Sequence, residues 1–101
     1  MVRTDTRMLL VEIAERFGKN LVRARKRAGM SQEEVGIRAA LHRTEIGLLE
    51  RGERLPRIDT MVKLAGALGV PPVDLVAGID WQPGDLTKGS FKVAVTDPSS
   101  N

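Results

Sequence analysis

The segment from Ser31 to Gly52, SQEEVGIRAALHRTEIGLLERG, contains two short helical periods separated by a break. Val35 and Ala39 lie four residues apart and share one helix face. Ala40-Leu41-His42 interrupts that spacing, and Ile46 and Leu49 resume it three apart, with Leu41 as the bridging apolar residue. The first period begins cleanly: Ser31 can accept a hydrogen bond from an orphan backbone N–H, and Glu33 and Glu34 place negative charge where the helix dipole favours it. Helices of about two turns bury too little to stand alone. The segment therefore demands other helices against which this pair can lean.

The flanking sequence supplies them. Thr4-Asp5-Thr6 offers capping groups, and Leu10, Ile13, Ala14, Phe17, Leu21, Ala24 and Ala28 then follow three- and four-residue steps, which predicts one long helix over 6–28. Gly18 weakens it by about 1 kcal/mol relative to alanine, so a break at Gly18, giving a separate N-terminal helix, is the alternative. Leu9, Leu10 and Val11 exceed what one face requires; the surplus covers the chain's own core, the preferred reading, or meets a second subunit. Ile58, Met61, Val62, Leu64, Ala65 and Leu68 form a further core helix, with Asp59 in its first turn and Gly69 at its end. Pro71 to Val76 reads as a short fifth helix whose first turn begins near Pro72.

Beyond Gly78 the composition shifts. Asp80 to Asp85 reads as a turn, and Ser90 to Val95 alternates like a strand, with Phe91, Val93 and Val95 on one side. Its partner is either the stretch near 79–82 or the same strand of a second subunit. Because a two-stranded ribbon is marginal in water, Trp81 and Phe91 are expected to dock on the helices, and residues 96–101 to be disordered.

Composition narrows the function. A chain of 101 residues holds one domain, and three aromatics leave a core of Leu, Val, Ile, Ala and Met, a mixture that favours helices. The absence of cysteine excludes disulfides, thiolate metal sites and thiol nucleophiles and suits a reducing, cytoplasmic setting. No run reaches the length of a membrane span, and the start MVRTDTR lacks a signal core. Between Phe17 and Arg57 ten Lys or Arg face five acids, whereas the remainder is net acidic. Positive charge is thus gathered around the two short helices, which suits a polyanion such as duplex DNA. No nucleophile–base pair, phosphate-cradling glycine loop or acidic metal cluster is visible, so an enzyme is not expected, and the single histidine, His42, makes a metal site unexpected as well. No cofactor is implied.

Met30-Ser31-Gln32-Glu33-Glu34-Val35, then Ile46, Leu49-Glu50-Arg51-Gly52, Pro56, Leu64-Ala65 and Ala67-Leu68-Gly69-Val70 together resemble the lambda-repressor-like (Cro/C1, XRE-type) helix-turn-helix regulators over roughly 17–76. The resemblance implies an all-α, five-helix DNA-binding domain, here with a long N-terminal helix and a short C-terminal extension holding a strand or hairpin. The expected division is 1–16 as an extension continuous with the first helix, 17–78 as the DNA-binding domain, and 79–101 as a C-terminal extension. In such a motif the second helix enters the major groove. His42, Arg43 and Thr44 open that helix; Arg43 can donate two hydrogen bonds to guanine O6 and N7, and Thr44 can meet a thymine methyl or a polar edge. Gly47, Leu48 and Arg51 continue the expected exposed side, where Leu48 either contacts a thymine methyl or belongs to a protein interface.

Other roles come from the resemblance. It makes Gln32 a phosphate or base contact at a helix N-terminus. It pairs Arg25 with Glu50, a planar guanidinium against a carboxylate, as a structural lock between the first and third helices. It lays the loop 51–57 along the phosphates, with Arg51 or Arg54 as contacts and Arg57 beside the minor groove. It also implies a homodimer on a palindromic operator, with 55–75 resembling the dimerising side. One departure stands out: the turn between the helices usually has a left-handed glycine, and this chain has Ala40, at a strain of about 1–2 kcal/mol if the geometry is kept. The alternative function is an antitoxin or coactivator-like adaptor that holds a protein partner such as a toxin.

Overall fold

The computed structural model of the protein describes residues 6–83 and 91–95, with side chains over 9–80. Four α-helices, α1 (Thr6–Arg27), α2 (Gln32–Ala39), α3 (Arg43–Glu50) and α4 (Ile58–Leu68), are followed by a 3-10 helix (Pro72–Val76) and two strands, β1 (Ile79–Pro83) and β2 (Phe91–Val95). This is the expected five-helix order, with the fifth wound as a 3-10 turn in which the Asp74 N–H donates to the Pro71 carbonyl at 3.0 Å. The core joins Phe17 and Leu21 of α1, Val35 and Ala39 of α2, Ile46 and Leu49 of α3, Leu64, Ala65 and Leu68 of α4, and Leu75. At about 1.5–3 kcal/mol for each large side chain fully buried, Ile46 and Leu49 give the short α3 its anchorage.

The long α1 runs unbroken through Gly18, so the two-helix alternative is not realised. The reason is packing: a Cβ on Gly18 would lie 2.5 Å from the carbonyl oxygen of Glu50 and 2.6 Å from that of Leu49. Glycine lets α1 touch the end of α3. A second close approach occurs at Gly52, whose left-handed backbone (φ 72°) lies against the backbone of Glu15.

Several expectations are corrected. Leu9 is buried, but Leu10 and Val11 are exposed, with Leu10 lining an apolar groove beside Leu55, Ile58 and Ile79. On α4, Ile58 and Val62 were expected in the core and are 74% and 55% exposed; four residues apart, they form an outward stripe while Leu64, Ala65 and Leu68 face inward. Asp80 to Pro83 is not a turn but β1, paired antiparallel with β2 in the register Ile79↔Val95, Trp81↔Val93 and Pro83↔Phe91. The expected strand therefore finds its partner within the chain. The capping role of Thr4 and Asp5, the docking of Trp81 and Phe91, and the state of 96–101 fall outside the residues and side chains described.

Two buried polar side chains of α1 had no signal in the apolar pattern. Asn20 is 2% exposed and its Nδ2 donates to the carbonyls of Leu75 (3.0 Å) and Ala77 (2.8 Å), tying α1 to the chain that leads into β1. Arg16 is also buried on α1.

Candidate nucleic-acid interface

Helix α2 starts with a reciprocal cap. Ser31 Oγ accepts from the Glu34 N–H (3.0 Å), and the Glu34 carboxylate accepts from the Ser31 N–H (3.4 Å). Helix α2 ends at Ala40, whose φ of 57° and ψ of 43° are left-handed. The family turn is thus kept with alanine in the glycine position, and the Ala40 and Leu41 N–H groups close the helix on the carbonyls of Ile37 and Gly36. Helix α3 then begins with His42, whose Nδ1 accepts from the Thr44 N–H at 3.1 Å. With Nδ1 accepting, the ring's N–H donor is Nε2–H. His42 is exposed, and that N–H suits a phosphate oxygen.

A compact cluster fixes the angle of α3. Arg25 Nε donates to Glu50 Oε2 at 2.6 Å and Arg25 Nη2 to Glu50 Oε1 at 3.2 Å; Arg25 Nη1 also donates to the Met30 carbonyl at 3.0 Å. The two side chains are only 16% and 6% accessible, so the pair is sheltered. The hydrogen bond to Glu50 raises the Arg25 pKa above its ordinary value; partial burial opposes this, and the carboxylate's charge adds to it. Gln32 joins the cluster through Nε2, which donates to Glu50 Oε1 at 2.9 Å. One carboxylate near the end of α3 thereby holds α1 and the start of α2 at once.

The outer surface of α3 begins with Arg43 and Thr44, both exposed. Arg43 has no acidic partner among the described residues. The three arginines of the following loop differ: Arg51 pairs with Glu53, Arg54 with Glu45, and Arg57 Nε with Asp59 Oδ1 at 3.2 Å. All three arginine side chains are more than half exposed, and pairs of this kind are worth about 0–1 kcal/mol. A phosphate can compete for each. The pair between Arg54 and Glu45 also ties this loop back to α3.

Gly47 is corrected from exposed to buried. The cover is Arg51: a Cβ on Gly47 would lie 2.9 Å from Arg51 Nη1, so this guanidinium packs against the place where a side chain at 47 would begin. Leu48, also expected to be exposed, is half-buried. Sequence reading missed the two acids Glu45 and Glu53, since the ion pairs they make depend on how the loop folds back. It also missed the bond from Gln32 to Glu50, although a glutamine at the start of α2 and a glutamate at the end of α3 converge once the first pair is in place.

A family model described as helix-turn-helix (HTH_3) matches residues 21–75. The chain is 38% identical over 73 residues to an uncharacterised HTH-type transcriptional regulator, y4dJ, of Sinorhizobium fredii, covering 72% of this chain and 95% of that one. It is 41% identical over 61 residues to the control protein C.BamHI of Bacillus amyloliquefaciens, covering 59% of this chain and 75% of the relative. Among solved structures, the restriction-modification controller protein C.AhdI of Aeromonas hydrophila superposes with a TM-score of 0.60 at 35% identity, over 61% of this chain and 94% of that chain. An antitoxin-like or adaptor role gains no support from these relatives. No helix among the described residues is long and apolar enough to cross a membrane. The chain belongs to the lambda-repressor-like (Cro/C1, XRE-type) helix-turn-helix family and is a non-enzymatic, DNA-binding transcriptional regulator.

Proposed function

We propose that the protein is a cytoplasmic repressor that binds an inverted-repeat operator as a homodimer, with 17–78 as the DNA-binding unit. The observation that carries this reading is the exposed Arg43, without an acidic partner among the described residues, at the N-terminal end of a helix whose angle is set by the pair Arg25–Glu50. Arg43 and Thr44 supply base readout. His42, Gln32, Arg54 and Arg57 grip phosphate or the minor-groove edge, and Leu48 supplies an apolar contact beside them. Occlusion of a promoter needs no further domain.

The dimer is supported by apolar surface left uncovered in one copy. Leu10 and Ile13 of α1, Leu55 and Pro56 of the loop, Ile58 and Met61 of α4, and Ile79 line a groove of about 330 Å³. Two copies joined there can set their recognition helices about 34 Å apart, one turn of DNA. The likeness to control proteins makes the promoter of a restriction-modification system the first setting to examine.

Selection of bound sequences from random duplex DNA, repeated at two salt concentrations, tests the proposal. Enrichment of a spaced inverted repeat is expected. Uniform weak binding that vanishes with salt refutes sequence-specific repression.

A further inference from the structure

Arg43, Gly47 and Arg51 are four residues apart in succession and form a single stripe along α3. A long side chain on a helix leans toward the N-terminus and covers the preceding turn, which is where Arg51 lies, over Gly47. Two features hold it there. Gly47 has no side chain, so the guanidinium packs closely against the place of the missing Cβ; and Glu53 accepts the Arg51 Nε–H from the loop side.

With Nε engaged by Glu53, Nη1 over Gly47 and the more distant Nη2 carry the remaining N–H donors, and a terminal pair of this kind matches guanine O6 and N7. The charge of Arg51 is thus carried back toward Arg43, one turn or about 5.4 Å along the axis from it. A second arginine edge is thereby placed within the span of adjacent base pairs, although residue 51 itself caps the far end of the helix.

We propose that Arg51 reads a guanine base in the major groove and is not confined to gripping the backbone, with Gly47 and Glu53 as the residues that position it. The inference rests on the DNA-binding reading above and adds a second specificity-determining side chain to Arg43. Its chemistry differs from that of Arg54 and Arg57, whose acidic partners lie on α3 and α4 and which no glycine seats against the recognition helix.

The test uses the full chain and the sequence that it selects. Arg51→Ala, Gly47→Ala and Glu53→Gln are each put through the same selection, alongside Arg43→Ala. Gly47→Ala brings its methyl group against the far end of a flexible side chain and Glu53 is exposed, so both variants are expected to fold, with thermal midpoints close to that of the parent. All three are expected to lose preference for guanine at one shared position in each half-site, by roughly 5- to 150-fold for Arg51→Ala, while the position lost by Arg43→Ala is retained. Replacing that guanine by 7-deazaguanine removes N7; it is expected to weaken the parent protein and leave Arg51→Ala unchanged.

If Gly47→Ala and Glu53→Gln keep the parent's preference, or if Arg51→Ala weakens every sequence equally, the inference is overturned while the proposed function stands. If the parent selects no sequence, both fall together.

Discussion

Gly18 of α1 and Glu50 of α3 lie so close that a methyl group on the glycine would sit 2.5 Å from the glutamate's carbonyl oxygen. Helix propensity alone says that alanine at 18 should stabilise α1 by about 1 kcal/mol. Contact with backbone atoms reverses the sign, because neither helix can yield without moving the cluster around Arg25. Gly18→Ala is expected to destabilise the protein by about 1–3 kcal/mol, the usual range for overpacking, and to weaken DNA binding by tilting α3. Denaturant unfolding measures the first effect; an increase in stability would show that the two helices separate freely.

The sheltered pair Arg25–Glu50 makes a different kind of demand. Glu50→Ala leaves the guanidinium without its carboxylate and removes the acceptor of Gln32, with an expected loss of about 3–5 kcal/mol. Replacing both partners together, Arg25→Met with Glu50→Leu, should cost less than Glu50→Ala, since no buried charge is stranded. Equal losses from the single and double variants in urea unfolding would assign the effect to packing. The raised Arg25 pKa adds its stability below the ordinary arginine value and loses it only as pH climbs through the still higher folded value, so the Arg25 guanidinium contributes no pH dependence between about pH 5 and 9.

Ala40 holds a conformation that glycine enters without steric cost. Ala40→Gly is expected to relieve about 1–2 kcal/mol of left-handed strain, less the greater backbone entropy that glycine loses on folding, a net gain of about 0.5–1 kcal/mol. Thermal unfolding with unchanged operator affinity is the expected pattern. A loss of stability would mean that the methyl group makes a compensating contact.

Arg43 and Arg54 should separate base readout from charge. Arg43→Ala is expected to relax base preference at one position per half-site by about 1–3 kcal/mol with the fold intact. Arg54→Ala should weaken binding to all duplexes alike and reduce the slope of log affinity against log salt by about one. Titrations of operator and random duplex at several salt concentrations distinguish them, and a uniform loss for Arg43→Ala would demote it to a backbone contact.

Ile58 is exposed and lines the apolar groove with Leu10, and the proposed homodimer makes it the side chain to test. Ile58→Asp is expected to shift sedimentation toward the monomer and to lower operator affinity, with little change in monomer stability because the side chain is exposed. Unaltered self-association would place the interface elsewhere.

What the sequence alone determined was local. The spacing of Val35, Ala39, Ile46 and Leu49, the capping power of Ser31 and the stop at Gly52 follow from 3.6-residue periodicity and backbone chemistry, so α2, α3 and their order were legible. The pair Arg25–Glu50 was legible through family resemblance, and the left-handed Ala40 because the residue stood where glycine belongs. Tertiary structure alone decided the rest. Gly18 looked like a weakness until α3 was laid against it; Ile58 and Val62 looked like core because hydrophobicity does not say which side of a helix meets a neighbour. Asp80 to Pro83 looked like a turn because polar and proline residues do not reveal a partner strand. Gly47 looked exposed because nothing in a linear chain shows that Arg51 folds back over it and that Glu53 holds it there. Each of these depends on contacts between residues whose approach is set by the packing of whole helices, and that information is not contained in any local window of the chain.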